Sequence, residues 1–239
     1  MPRLRKSPRK SRRKREIRKP PIDHDRWGRL CELSLVIATV GSVMALGTLH
    51  TWPLFALVGI SLAVVFTATR ASPTSRIPGP AWVCVGLAAF SALQAVPLPA
   101  GFVALVAPAN ADIWARALEP IGQEGAGWIP LSLDPGASLR EACRWFSYAG
   151  IVHGACIVSE RRSPAWPATL LFASGIALAV ITALHGLSGT TKVWGFYEPG
   201  FPVKPWHVGP ILNPNSLAGY LTLAFLAGAG LDVARRAAG

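Results

Sequence analysis

Six stretches of the chain, at about residues 30–50, 52–69, 80–96, 140–158, 166–187 and 214–234, are apolar and carry few charged side chains or none. Each is about 17 to 22 residues long, and a helix needs about 20 such residues to cross the hydrocarbon of a bilayer. Within hydrocarbon a backbone N–H or C=O without a partner costs several kcal/mol, so such a stretch satisfies itself as a helix. The composition agrees: 51% of the residues are hydrophobic and 15% charged, more apolar material than one soluble domain uses. The expected fold is an all-α membrane protein with about six transmembrane helices.

The formal charge of +12 is concentrated in one place. Residues 1–29 hold 13 of the 24 Lys and Arg, against Glu16, Asp23 and Asp25, while the rest of the chain is nearly balanced. Broken by Pro2, Pro8, Pro20 and Pro21, this segment has too little apolar surface to fold alone and reads as a disordered basic arm. It lacks the interleaved aromatics of a nucleic-acid surface and directly precedes a span. Anionic cytoplasmic lipid, which attracts each Lys or Arg by about 1 kcal/mol, is therefore the expected partner, and no nucleic acid. The block after Arg29 is too long for the core of a cleaved signal peptide and ends in no small-x-small site. The chain divides into the arm, 1–29, and a polytopic domain, 30–235.

Loop charges orient the spans, because short cytoplasmic loops are enriched in Lys and Arg. The arm puts the N-terminus inside. The first outer turn, "HTWP", has no basic residue; Arg70 and Arg76, then Arg161 and Arg162, then Arg235 and Arg236 fall on the inner loops. Six spans with a cytoplasmic N-terminus and C-terminus satisfy every loop, and leave residues 97–139 and 188–212 on the outer face.

The outer segments carry the chemistry. In "LDPGASLREACRW", Asp134 can cap a helix with Pro135 at its first position, and Ser138 with Glu141 has capping-box spacing. Arg140 and Arg144 share one face of that helix; they read either as snorkelling to headgroups or as a clamp for a diphosphate, whose oxygens match guanidinium forks. The second segment, "SGTTKVWGFYEPGFPVKPWHVGPIL", mixes Trp194, Phe196, Tyr197, Phe201 and Trp206 with Lys192, Glu198, Lys204 and His207. It reads as an interfacial belt, or as a surface for a sugar or lipid headgroup. Lys192 and Lys204 could draw in a diphosphate or be plain solvated charges, and His207 could serve as a general base or as a loop hydrogen-bonder. The helix start "NPN" follows: Asn213 caps, Pro214 takes the first position, and Asn215 adds an amide that needs a polar partner. Free N–H groups at a helix start suit an anion such as a lipid-linked pyrophosphate. His50, His153 and His185 read as packed histidines near or within spans. Cys31, Cys84, Cys143 and Cys156 show no paired spacing, and no metal site or cofactor is expected.

Two motifs carry a family resemblance. "GPILNPNSLAGYL" resembles the N-P-N-x-x-A-G-Y-L signature of the O-antigen ligase and polymerase superfamily, and "WIPLSLDPGASLREA" is similar to its W-x-P-L-S-x-D-P segment. The resemblance covers about residues 128–235. It implies a multi-pass protein of the bacterial inner membrane, active without a metal or nucleotide sugar. Such a protein would move a glycan from a polyprenyl-diphosphate carrier to a glycan or lipid acceptor at the periplasmic face. Family members have more spans and a late periplasmic loop with essential His and Arg residues, so a missing C-terminal half or a second subunit is expected to complete the catalytic set. The alternatives are a small-anion transporter of the bicarbonate kind and a non-catalytic membrane assembly subunit.

Overall fold

The computed structural model describes residues 22–48, 50–122, 125, 127–200 and 208–238. Among them it contains eight α-helices and one two-stranded antiparallel ribbon. In order these are α1 (Ile22–Met44), α2 (Thr51–Ala71), α3 (Gly79–Ala95), β1 (Pro97–Pro99), α4 (Ala100–Val106), α5 (Pro108–Leu118), β2 (Trp128–Pro130), α6 (Pro135–Arg161), α7 (Ala165–Ser188) and α8 (Pro214–Ala238).

The apolar blocks match α1, α2, α3, α6, α7 and α8. Four of these, α1 from Asp25 onward, α2, α7 and α8, are long and apolar enough to cross a membrane. Helix α3 is apolar but has 17 residues, about 25 Å at 1.5 Å per residue against a hydrocarbon layer of about 30 Å. Helix α6 has 27 residues, but Arg140, Glu141 and Arg144 near its start and Glu160 and Arg161 at its end shorten its uncharged stretch.

The first boundary differs from expectation. Residues 22–29, assigned by sequence to the disordered arm, are helical and begin α1. A tertiary contact holds them: Trp27 meets Phe66 of α2 edge-on at 5.5 Å, and the Arg70 guanidinium lies over both rings, 5.9 Å and 5.1 Å from their centroids. Residues 1–21, the rest of the expected arm, lie outside the described residues.

Helix α6 organises the bundle by close backbone approach. Gly150 and Gly154, one turn apart on a single face, lie against α2. A Cβ on Gly150 would sit 3.1 Å from the Ser61 carbonyl oxygen, and one on Gly154 would overlap the Val64 side chain. Small residues four apart are how membrane helices come close enough for dispersion contacts to accumulate. The two helices run in parallel, so their C-terminal ends coincide and Arg161 Nη1 donates to the Ala71 carbonyl at 3.1 Å. Cys31 and Leu35 of α1, Ala68 and Ala71 of α2, and Ile157 and Val158 of α6 form the main buried cluster.

Helix α7 packs on α1 and α6 and carries α8 on its other side. The α7–α8 pair repeats the small-residue device in antiparallel form: Gly175 faces Ala224, Gly228 faces Phe172, and the Ser174 and Tyr220 hydroxyls bond at 2.7 Å. Ala224 is the buried residue of α8, whose Leu223, Phe225, Leu226 and Val233 are exposed.

The connections segregate to two ends. One end collects Arg29, Arg70, Arg76, Arg161, Arg162, Arg235 and Arg236 on short turns and helix termini. There Arg162 forks onto Glu32 at 2.7 Å and 3.0 Å, and those hydrogen bonds, with the attraction of the carboxylate, push the guanidinium pKa above its usual value. The other end carries the two long connections.

Gly154→Leu is expected to force α6 off α2, an overpacking that costs about 1–3 kcal/mol or more. Gly86→Leu on α3, where a Cβ meets open space, is the control. Thermal unfolding in detergent, followed by size exclusion, should show a lowered midpoint for the first variant alone. Equal midpoints would place the two helices farther apart.

Candidate functional site

At the end with the long connections, the first of them works as a strap between α3 and α6. Strands β1 and β2 pair with Pro97 opposite Pro130, Leu98 opposite Ile129 and Pro99 opposite Trp128. Ser132 N–H donates to the Gln94 carbonyl at 2.9 Å, and Asn110 Nδ2 donates to the Leu131 carbonyl at 2.8 Å. Ser132 Oγ accepts from Asp134 N–H at 3.1 Å and from Ser138 Oγ at 2.8 Å. Asp134 caps α6, its Oδ1 accepting from Ala137 N–H at 2.8 Å, and Pro135 takes the first position. The "WIPLSLDP" run therefore has a structural use at nearly every residue.

The capping box expected of Ser138 and Glu141 does not form. Helix α6 already begins at Pro135, so Ser138 turns back to Ser132 and Glu141 pairs with Arg144. Arg140 Nη2 lies 3.8 Å from Asp134 Oδ2. Both arginines are thus engaged by carboxylates of their own segment. No hydrogen bond or ion pair joins them to Asn213, Asn215 or Lys192 among the described residues.

The start of α8 follows the expected chemistry. Asn213 Oδ1 accepts from Asn215 N–H at 2.9 Å and Ser216 N–H at 3.4 Å, while Leu217 N–H reaches the Asn213 carbonyl at 2.9 Å. Residues 213–216 are all exposed, and the Asn215 side-chain amide makes no hydrogen bond with a described residue. Just before them, Val208, Pro210 and Leu212 are buried, and Gly209 lies against Thr182 of α7. Lys192 pairs with Glu198 at 3.2 Å on the exposed side of the same connection. Lys204 and His207, with Phe201 and Trp206, lie outside the described residues.

The second connection also builds a cleft that sequence reasoning missed. Val193 and Tyr197 pair across a tight turn through two backbone hydrogen bonds of 2.8 Å and 2.9 Å. Trp194 lies between them at φ 58°, in the left-handed region, and Leu46, in the turn between α1 and α2, has the same φ of 58°. Such a backbone costs an ordinary residue about 1–3 kcal/mol and persists only where surrounding contacts impose it. The contacts are visible. Trp194 N–H donates to His185 Nε2 at 3.1 Å, and its indole N–H to the Met44 carbonyl at 3.2 Å. His185 Nδ1 lies 2.7 Å from the Ile181 carbonyl, so the ring donates there and accepts from Trp194, which assigns one neutral tautomer. Tyr197 hydroxyl and His50 Nε2 bond at 2.7 Å across the cleft mouth, and Leu46, Val193, Val208 and Leu212 form the small core beneath.

Between the α1–α2 turn and this loop is a cavity of about 380 Å³, lined by Leu46, His50, Trp52, Trp194, Phe196 and Tyr197 among others. The signal available in the sequence was two short aromatic stretches, "HTW" and "VWGFY", the first three residues after Gly47 and the second containing Gly195; both glycines have positive φ in the structure. Among the described residues no three His, Cys, Asp or Glu side chains gather as a metal site.

Comparison with protein-family models, with curated proteins and with solved structures finds no match for this chain.

Tyr197→Phe removes the hydroxyl that holds the loop to His50 and is expected to loosen the turn by about 1 kcal/mol, the worth of one such bond. Hydrogen exchange at the Val193 and Tyr197 amides should quicken by about fivefold, with exchange in α2 and α6 unchanged. Unaltered exchange at those amides would mean that the bond does not fasten the loop.

Proposed function

We propose that the chain is an O-antigen ligase-like or polymerase-like protein of the bacterial inner membrane, with six spans and a cytoplasmic N-terminus, that handles a polyprenyl-diphosphate-linked glycan at the periplasmic face. The observation that carries this reading is the exposed Asn213-Pro214-Asn215 helix start. It opens on the same end of the bundle as the aromatic loop, opposite the short turns and helix termini that carry Arg70, Arg76, Arg161, Arg162, Arg235 and Arg236. In this reading the basic turns lie on the cytoplasmic side, and the helix start and both long connections lie outside. An exposed helix start with its positive dipole end and the unengaged Asn215 amide suits a diphosphate, and Lys192, paired with Glu198, lies on the same connection. "WIPLSLDP" and the Asn213-Pro214-Asn215 start follow one another in the order of the two motifs of the resemblance. Helices α3 and α6, the two that fall short as independent spans, cross as a packed pair in this reading, where contact with neighbouring helices tolerates short length and polar residues.

A second reading, transport of a small anion such as bicarbonate, draws on one observation. Ser61 Oγ and His153 Nδ1 are buried in α2 and α6 without hydrogen-bond partners among the described residues. Polar groups inside a helix bundle are what a permeation path requires.

With the native cysteines removed, single cysteines at positions 125 and 200 are expected to react with an impermeant maleimide added outside, and those at 72 and 163 only after permeabilisation. Outside labelling at position 72 would overturn the topology.

Asn215→Ala is expected to insert and fold normally, because the cap at Asn213 remains. It should lower transfer of lipid-linked glycan by about tenfold, the loss of one hydrogen bond to a charged group. Transfer at the wild-type level, with bicarbonate flux in proteoliposomes, would instead favour the second reading. A fall in folded protein that matches the fall in transfer would make Asn215 a packing residue.

A further inference from the structure

We infer that His185 is a pH-sensitive latch: as a neutral imidazole it holds residues 193–197 closed, and on protonation it releases that turn and loosens the seat of the α8 start. The inference rests on hydrogen-bond chemistry and stands apart from the glycan reading above.

The first observation is the protonation state that the bonds require. His185 Nδ1 lies 2.7 Å from the Ile181 carbonyl, which can only accept, so Nδ1 carries the proton. Nε2 lies 3.1 Å from the Trp194 backbone N, whose N–H can only donate, so Nε2 is bare. An imidazolium carries hydrogen on both nitrogens and would meet the Trp194 N–H donor to donor. The closed turn therefore admits the neutral ring alone, and a proton taken up by His185 costs it the Trp194 bond.

The second is that this bond restrains a strained residue. Trp194 has φ 58°, a left-handed backbone that an ordinary residue keeps only where its surroundings impose it. Two hydrogen bonds do so: the one to His185, and the one from the indole N–H to the Met44 carbonyl at 3.2 Å. Protonation removes the first and leaves the strain opposed by the second. Val193, next to Trp194, is fully buried with Leu46, Val208 and Leu212, the last directly before Asn213. A turn that opens thus withdraws a member of the core on which the α8 start sits.

The third is that His185 is placed to respond and its ionisable neighbours are already engaged. It is half-buried, so protons reach it. His50, the other histidine of the turn, meets the Tyr197 hydroxyl at 2.7 Å; a hydroxyl can accept as well as donate, so that bond survives protonation. On the connection, Lys192 pairs with Glu198 at 3.2 Å, and at the same end of α6 Arg140 and Arg144 are held by Asp134 and Glu141. Helix α7 has no other ionisable side chain. Residues 36–44 of α1 and 51–60 of α2 have none, and α8 has none before Tyr220, whose hydroxyl bonds Ser174. Lys204 and His207 lie outside the described residues. The closed turn binds one proton fewer than the open one, so it is favoured above the range where imidazoles ordinarily titrate, about 6.5, and weakens as pH falls through it.

The test follows amide hydrogen exchange of the full chain in phosphatidylethanolamine–phosphatidylglycerol nanodiscs at about pH 8 and about pH 5, each rate divided by its intrinsic rate at that pH. Protection at Trp194 and Tyr197 is expected to fall by about tenfold at the lower pH, with protection in α2 and α6 unchanged. His185→Gln puts an amide oxygen, which accepts but does not titrate, in reach of the Trp194 N–H, and should keep protection high at both pH values. His50→Gln should retain the fall. Nitrogen spectra of the histidine-labelled parent give a readout that needs no variant: a ring with its proton on Nδ1 at high pH, becoming an imidazolium over the same range in which protection is lost. The inference is overturned if protection is equal at both pH values, if the fall persists in His185→Gln or vanishes in His50→Gln, or if the His185 ring of the parent carries its proton on Nε2 at high pH. Should His185→Gln lose protection at both pH values, the parent decides: a His185 ring that titrates outside the range of the protection loss overturns the latch, and one that titrates within it upholds it.

Discussion

Everything in the bundle depends on how closely α6 approaches α2. Between membrane helices apolar side chains gain little by leaving lipid for protein, so association rests on dispersion, hydrogen bonds and close fit. Gly150 and Gly154 supply the fit by removing the Cβ atoms that would otherwise strike Ser61 and Val64. Once α6 lies in that groove, its other faces are committed. One meets Cys31 and Leu35 of α1, and another meets α3, whose buried positions are Ala81 and Ala88. A hub helix of small residues explains how a helix with charges at both ends sits at the centre of the molecule while more apolar helices lie outside it.

The charged ends of α6 then become an asset. At its C-terminal end, Arg161 lies along Gly28 and donates to the Ala71 carbonyl, a group left without an intrahelical partner at the end of α2. The neighbouring Arg162 forks onto Glu32. Glu32 is an acidic residue inside the first apolar block, a poor neighbour for lipid, and its side chain is only 17% exposed. The ion pair fastens α1 to α6 and shields that carboxylate, at the level where the chain passes into the short basic turns. At the N-terminal end, Arg140 and Arg144 are each engaged by a local carboxylate. Burial and pairing, more than any one loop, set the two ends of the protein apart.

Helix positions were legible in the sequence because the thickness of a bilayer sets a length that hydropathy can measure. The starts of α6 and α8 were legible too, since Asp-Pro and Asn-Pro combine a capping side chain with a residue that lacks an N–H. What escaped depends on distant contacts. Nothing local in residues 22–29 announces a helix; Trp27 becomes helical against Phe66, and Arg70 covers both rings. Ser138 and Glu141 have the spacing of a cap but stand inside a helix already capped by Asp134. The cleft joins His50 to Tyr197, 147 positions apart, and no short-range pattern reports such a meeting. Of the candidate residues, Asn213, Asn215, Lys192, Arg140 and Arg144 lie at one end of the molecule, but their engagement, carboxylates for three of them and an open face for Asn215, required the fold.

The attachment of α8 separates the site from the bundle. The helix touches α7 through Ala224, Gly228 and Tyr220 and buries little else, so helix packing alone leaves its start weakly positioned relative to α1 and α2. The connection supplies what packing does not. Val208 and Leu212 sit in the same small core as Leu46 and Val193, and Gly209 is held against Thr182, all within a few residues of Asn213. The helix start, the strained Trp194 turn and the α1–α2 turn thus share one apolar anchor.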